Sequence, residues 1–301
     1  MHFLLMRILV FISMLVGIAT IKGCGKTSSK TLSKESHLLQ FSWTDFKNLD
    51  EKEVEKKISL LSINYGRELK VKMSERNIPL IVGKIDQKFL DSFHDIANSN
   101  KTIAISSSGG LAYIAFEIAT IISAQDINII IVGACHSACA EIILPAAKSI
   151  EFYNSPLIGY HGNMVSMRYY IDQGLANPCV SSSNRDNFSA TLSKLVNQTK
   201  ALYEQTGHNI DFWKEQVNRL GDPKIVKRQI GGYNCSPSQR FAYKYWFPTA
   251  HQLETMLGLK FKGNLCSDNQ NCYTKKIPLV EGFGEKYIVG NNPYISALPE
   301  Y

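Results

Sequence analysis

Residues 127–139 read Ile127-Asn128-Ile129-Ile130-Ile131-Val132-Gly133-Ala134-Cys135-His136-Ser137-Ala138-Cys139. The run from Ile127 to Val132 is β-branched and apolar except at Asn128. So continuous a run fits a strand covered on both faces, as central strands of parallel sheets are. Gly133 is expected to break it, and a helix is expected from about Ala138 to Ala147. Ser137 then stands where strand becomes helix. That is the carboxyl edge of the sheet, where open α/β sheets hold ligands.

The same texture extends in both directions. Ile78–Val82 reads as a strand, and Asp86 opens a helix with Phe89, Leu90, Phe93 and Ile96 on one face. Thr102–Ser106 is a second strand, Ser107-Ser108-Gly109-Gly110 a tight turn, and Leu111–Ala124 an apolar helix. Downstream, short strands fit Ser149–Tyr153 and Leu157–Tyr160, with His161 just beyond. Strands alternating with helices predict an α/β fold with a parallel sheet, right-handed crossovers and helices outside. Beyond the irregular stretch 162–182, Phe188, Leu192, Leu195, Val196, Leu202 and Tyr203 form a helical stripe suited to core or oligomer contact. Asp211–Leu220 is another helix, and the Gly- and Pro-bearing residues 221–240 read as a loop. A last helix runs from Thr249 to Gly258, and residues 263–301 show no strong period.

Three features carry chemistry. Glycines at 109 and 110 let backbone N–H groups turn outward at a helix N-terminus, where the dipole favours an oxyanion. Ser137 can present its Oγ at the strand–helix junction, with the Ala138 N–H aimed at the same oxygen. His161 can serve as the base that a serine hydroxyl needs. Each has a plainer reading: a structural turn, an N-cap serine, a strand-end histidine. His136 adjoins Ser137, so its ring should point elsewhere. Zinc through Cys135, His136, Cys139 and His161 is disfavoured, because side chains of consecutive residues diverge and cannot close a tetrahedron. No metal or other cofactor is expected.

The order of strand, Gly-Gly turn, helix, strand, Gly133-x-Cys135-x-Ser137-Ala138, helix, strand and His161 resembles the Clp-protease/crotonase superfamily, and within it an exported Clp-like serine peptidase branch. Ile81-Val82-Gly83-Lys84-Ile85-Asp86 resembles its opening strand and turn. Phe247-Pro248-Thr249-Ala250 through Gly258-Leu259 resembles its closing helix. The resemblance implies a spiral of repeated β-β-α and βαβ units. It makes Ser137 the nucleophile, His161 the base, and the Gly110 and Ala138 amides the oxyanion donors. It also implies trimeric or hexameric stacking of copies. The family's orienting acid falls near Gln216, which is not acidic; Glu215 is the nearest replacement, with Asp211 and Asp222 as alternatives.

The chain ends frame this domain. Arg7 followed by the apolar run Ile8–Ile21 reads as a secretory signal over residues 1–23 rather than a bilayer span. Ile21-Lys22-Gly23-Cys24 resembles a lipoprotein box, so Cys24 is a lipidation candidate beside plain cleavage. Residues 25–76 read as a polar linker and an N-terminal helix, with Trp43, Phe46 and Leu49 at helical spacing. The Clp/crotonase-like domain is placed at 77–262, followed by a tail, 263–301. Of seven cysteines, Cys266 and Cys272 close a short polar loop and are the easiest disulfide; Cys179 and Cys235 form a second candidate. Cys135 and Cys139 either bridge across Ser137 in an oxidising compartment or stay reduced in the core.

In composition, 45% of the 301 residues are hydrophobic and 20% charged, which excludes a disordered or collagen-like chain. The net charge of +7 is spread along the chain without an aromatic-interleaved basic block, so nucleic acid is not expected as a partner. The expected function is an exported serine hydrolase, periplasmic or in the cell envelope, acting on a peptide or protein and touching membrane only through its signal or lipid anchor. The alternative is a catalytically inactive binding or scaffold module on the same fold.

Overall fold

The computed structural model describes residues 69–73, 78–173, 185–220, 224–230, 233–240, 243–281 and 286–295. The signal segment 1–23, Cys24, most of the 25–76 segment, Cys179, Asp222 and the side chain of Cys235 lie outside the described residues.

A sheet of order β1-β2-β3-β4-β5-β9 organises the chain. Strands β2 (Ile78–Val82), β3 (Thr102–Ser107), β4 (Asn128–His136), β5 (Ser149–Gly159) and β9 (Lys262–Gly263) run parallel. Strand β1 (Leu69–Met73) pairs antiparallel with β2, so part of the stretch expected as linker is sheet edge. Helix α1 (Gln87–Ala97) connects β2 to β3, and α2 (Ala112–Gln125) connects β3 to β4. Alternate strand residues bury in opposite directions, as a pleated strand requires. Ile103, Ile105, Ile129 and Ile131 join Phe89, Phe93, Ile118 and Ile122 in the main core. Leu80, Val82, Ala104, Ile130 and Val132 form a second cluster. Both Ile130 and Ile131 are buried, which accounts for the unbroken apolar run.

Gly133 does not end β4. The strand passes through it to His136, and its register against β5 shifts between Val132 and Ala134. Across that shift β5 carries two more residues than β4, whereas against β3 it is β4 that carries two more, between Ile131 and Cys135; Gly133 lies there with φ 74°, a conformation that costs glycine no Cβ penalty. The two short strands expected after residue 148 are one strand, β5, kinked at Asn154 (φ 55°) and Ser155 (φ 49°). Lys276 donates to both carbonyls exposed by that kink, at 2.9 and 3.1 Å.

The helix expected after Ser137 is a π-helical turn, Cys139–Ile143, continuing into the short α3, Leu144–Ala146. Helices α4 (Met164–Asp172), α5 (Arg185–Thr206) and α6 (Phe212–Leu220) follow. On α5, Leu192 and Val196 pack with Val165, and Leu202 and Tyr203 enter the main core, so these residues serve the chain's own packing. Residues 221–240, expected as a loop, contain β6 (Lys224–Ile230) paired antiparallel with β7 (Tyr233–Arg240). That pair forms its own two-stranded sheet, and its glycines and proline hid it from pattern reading.

Beyond β8 (Trp246–Phe247), helix α7 (Ala250–Gln252) continues as a π turn to Leu257 and stops at Gly258 in the left-handed region. The segment read as a tail holds α8 (Gln270–Glu281), β10 (Lys286–Val289) and β11 (Asn292–Ile295). Strand β10 pairs parallel with β8, and Cys266, Ile277 and Tyr287 pack with Leu157 and Phe247. No described helix is long and apolar enough to cross a membrane.

Asp86 caps α1 as its sequence position foretells: its carboxylate accepts from the Phe89 N–H at 3.1 Å. Asp86→Ala is expected to cost about 1 kcal/mol, read as a lowered urea midpoint with an unchanged slope.

Candidate active site

Adjacent strands deliver the two side chains that matter. Strand β4 pairs with β5 so that His136 lies opposite Gly159. Ser137 follows His136 by one residue and His161 follows Gly159 by two, so both emerge at one point of the carboxyl edge. Ser137 Oγ lies 2.6 Å from His161 Nε2. With His161 protonated on Nδ1, its Nε2 accepts the serine proton.

The backbone at Ser137 is strained in a directed way. Its φ is 55°, a region that costs a non-glycine residue of order 1 kcal/mol. Its N–H donates to the Gly159 carbonyl at 2.9 Å, and its carbonyl accepts from the Glu141 N–H at 2.8 Å. One bond continues the ladder and the other starts the helical turn, so the chain reverses sharply between them. The hydroxyl is thereby thrown out of the sheet edge.

Gly109 approaches this turn so closely that a Cβ there would lie 2.5 Å from the His136 carbonyl oxygen, 2.6 Å from Ser137 Cβ and 3.1 Å from the Ala138 nitrogen. The turn is tied back by a 3.1 Å bond from the Gly109 N–H to Ser107 Oγ. Next to it, Gly110 bridges to Ile85, whose N–H donates to Gly109 and whose carbonyl accepts from Leu111. These bonds use the flanking amides and leave those of Gly110 and Ala138 without a backbone carbonyl partner among the described residues. Amides without such a partner, in the two turns that meet at the Ser137–His161 pair, have the chemistry that holding an oxyanion requires.

No family model matches the chain, and no curated protein matches it.

Cys135 and Cys139 form a disulfide with a Cα–Cα distance of 5.3 Å, closing a loop around Ser137. Both sulfurs are therefore withdrawn from any metal-ligand set. Cys266 and Cys272 form the second disulfide among the described residues, at 5.2 Å. His136 is fully buried, its ring packed against Tyr245 and Phe247. Tyr245 also meets the His161 ring edge-on, at 5.2 Å between centroids.

Glu215, the expected orienting acid, turns toward Arg219, 3.6 Å away, on a partly exposed side of α6. Asp211, the second choice, pairs with Lys214 at 2.9 Å. The buried polar residue of that helix, between the buried Phe212 and Leu220, is Gln216, which donates to Glu141 Oε2 at 3.1 Å. Sequence reading passed over Glu141, although it is the only ionisable side chain between Cys139 and Ala147. It also passed over Asn163, which caps α4 through bonds from Val165 and Ser166. Burial pushes the Glu141 carboxyl up from 4.5 to about 8, against the opposing pull of the Gln216 and Asn163 amides. Tyr160 and Tyr203 face it, and burial, then its charge, holds both phenols well above their usual range.

Two outcomes follow from this geometry. Gly109→Ala is expected to lower stability by roughly 1–3 kcal/mol, measured by urea unfolding, because the new methyl meets backbone and Cβ atoms that cannot rotate away. Glu141 binds its proton more tightly folded than unfolded, so its contribution is full below pH 4.5 and is lost as pH rises to about 8. The stability difference between wild type and Glu141→Gln should therefore fall by about 1.4 kcal/mol per pH unit across that window and level off above it. A difference independent of pH would contradict the buried neutral carboxyl.

Proposed function

We propose that this chain is an exported serine hydrolase that cleaves peptide bonds, built on a Clp/crotonase-like spiral. One observation carries the reading: the Ser137 hydroxyl lies 2.6 Å from His161 Nε2 on a left-handed turn at the carboxyl edge of a parallel sheet. Ser137 Oγ attacks the carbonyl carbon while its proton passes to His161 Nε2. The oxyanion formed is held by the Gly110 and Ala138 N–H groups. Collapse expels the amine, which takes the proton from the imidazolium and leaves an acyl-serine. Water, deprotonated by the same imidazole, then releases the acid. Peptide is the substrate that the resemblance implies. Two disulfides and the signal-like start both support an oxidising, exported setting.

A second reading is favoured by one specific observation. Where the family's acid is expected, the chain carries the amide of Gln216, and Glu215 pairs with Arg219. An inactive binding module would have that arrangement. Labelling with a fluorophosphonate probe, followed by intact-mass spectrometry, separates the two. Wild type is expected to gain a single adduct, with Ser137→Ala gaining none and His161→Ala slowed by about 10³-fold or more. A folded, disulfide-bonded wild type that gains no adduct is the binding module.

A further inference from the structure

We propose that Glu141 is a positioning residue for the Ser137–His161 pair, a carboxyl set behind the site that ties the nucleophile's turn to the two residues bracketing the base. The proposal rests on the hydrolase reading above.

Its geometry is specific. The Glu141 N–H donates to the Ser137 carbonyl at 2.8 Å, so its backbone belongs to the turn that aims the hydroxyl. Its side chain is 3% exposed and meets Gln216 of α6. On either side of His161, the Asn163 amide acts on the same carboxyl and the Tyr160 phenol lies within reach of its charge. The backbone carbonyl of Glu141 accepts from the Tyr203 hydroxyl at 3.1 Å, which fixes the turn against α5.

Four polar atoms in this cluster are fully buried without a hydrogen bond of good geometry among the described residues: Glu141 Oε1, Gln216 Oε1, Asn163 Nδ2 and Tyr160 Oη, the Asn163 amide being near enough to Glu141 to draw its carboxyl down all the same. Leaving such groups unsatisfied is costly, so a cluster of them marks a constraint imposed for another purpose. Donors and acceptors are both present, and a neutral carboxyl can be either. A carboxylate can only accept. Ionisation therefore changes which neighbours Glu141 can hold, and its pull on Tyr160 and Asn163 moves the short segment that carries His161. The titratable groups facing it are the two phenols of Tyr160 and Tyr203, which stay neutral over the range concerned.

The test measures the rate of fluorophosphonate labelling of the full chain from pH 5 to 10, in wild type, Glu141→Gln and Glu141→Ala. Glu141→Gln mimics the neutral carboxyl and is expected within about threefold of wild type at pH 7. Glu141→Ala, folded by circular dichroism, is expected to label about 10- to 100-fold more slowly, as a loosened catalytic pair should. Wild type should lose reactivity above pH about 8, where Glu141 ionises, and Glu141→Gln should not. Superposable wild-type and Glu141→Gln profiles, or a Glu141→Ala protein as reactive as wild type, overturn the proposal.

A second readout needs no reactivity. The His161 imidazole resonance, assigned by difference from His161→Ala, should show an inflection near pH 8 in wild type that Glu141→Gln lacks. Its absence counts against the coupling. A wild type that never labels yet shows the inflection refutes the hydrolase reading while leaving the coupling standing.

Discussion

The approach of the Gly109 backbone to Ser137 is the constraint on which the rest depends. Only a residue without a Cβ can let the turn after β3 lie against the turn after β4 at this distance. Once it does, the turn that holds Gly109 and Gly110 lies against the turn that holds Ser137 and Ala138. The left-handed backbone at Ser137 is held by bonds to Gly159 and Glu141 on its two sides. Strain here is stabilised by the parallel ladder beneath it, whose rows Ile103–Ile129–Ile150 and Ile105–Ile131–Phe152 are buried. The disulfide from Cys135 to Cys139 adds a covalent limit on how far that turn can open.

The polar interior behind the turn is the less usual feature. Glu141, Tyr160 with Asn163, Tyr203 and Gln216 come from four different parts of the chain and meet in a place where apolar packing would be the simpler solution. Buried carboxyls of this kind remove stability at neutral pH rather than adding it. Their presence beside the Ser137–His161 pair is most economically explained by the geometry they impose there.

Much of this was legible from the sequence. The β-branched run 127–132, the Gly-Gly turn and the histidine after an apolar strand reflect local steric demands, and they lie in β4, after β3 and after β5 respectively. The meeting of Ser137 with His161 follows from adjacent parallel strands once β4 and β5 are paired. What escaped was tertiary. Glu141 reads as an ordinary helix carboxylate until α6 covers it. The kink at Asn154 and Ser155 reads as a break because both residues favour turns, whereas Lys276, far along the chain, holds the strand together. The β6–β7 pair lies in a stretch whose glycines and proline signal loops more strongly than strands. Glu215 stands one residue from the position the resemblance implies, and helix phase puts Gln216 inward and Glu215 beside Arg219.

The central claim is that the turns after β3 and β4 form one pre-organised oxyanion site around an activated Ser137. A crystal structure of the fluorophosphonate-treated protein tests it most directly. The account predicts phosphorus bonded to Ser137 Oγ, with the phosphoryl oxygen about 2.7–3.1 Å from both the Gly110 and Ala138 nitrogens. A Ser137 left unmodified, or an adduct whose oxygen points away from those two amides, would contradict it.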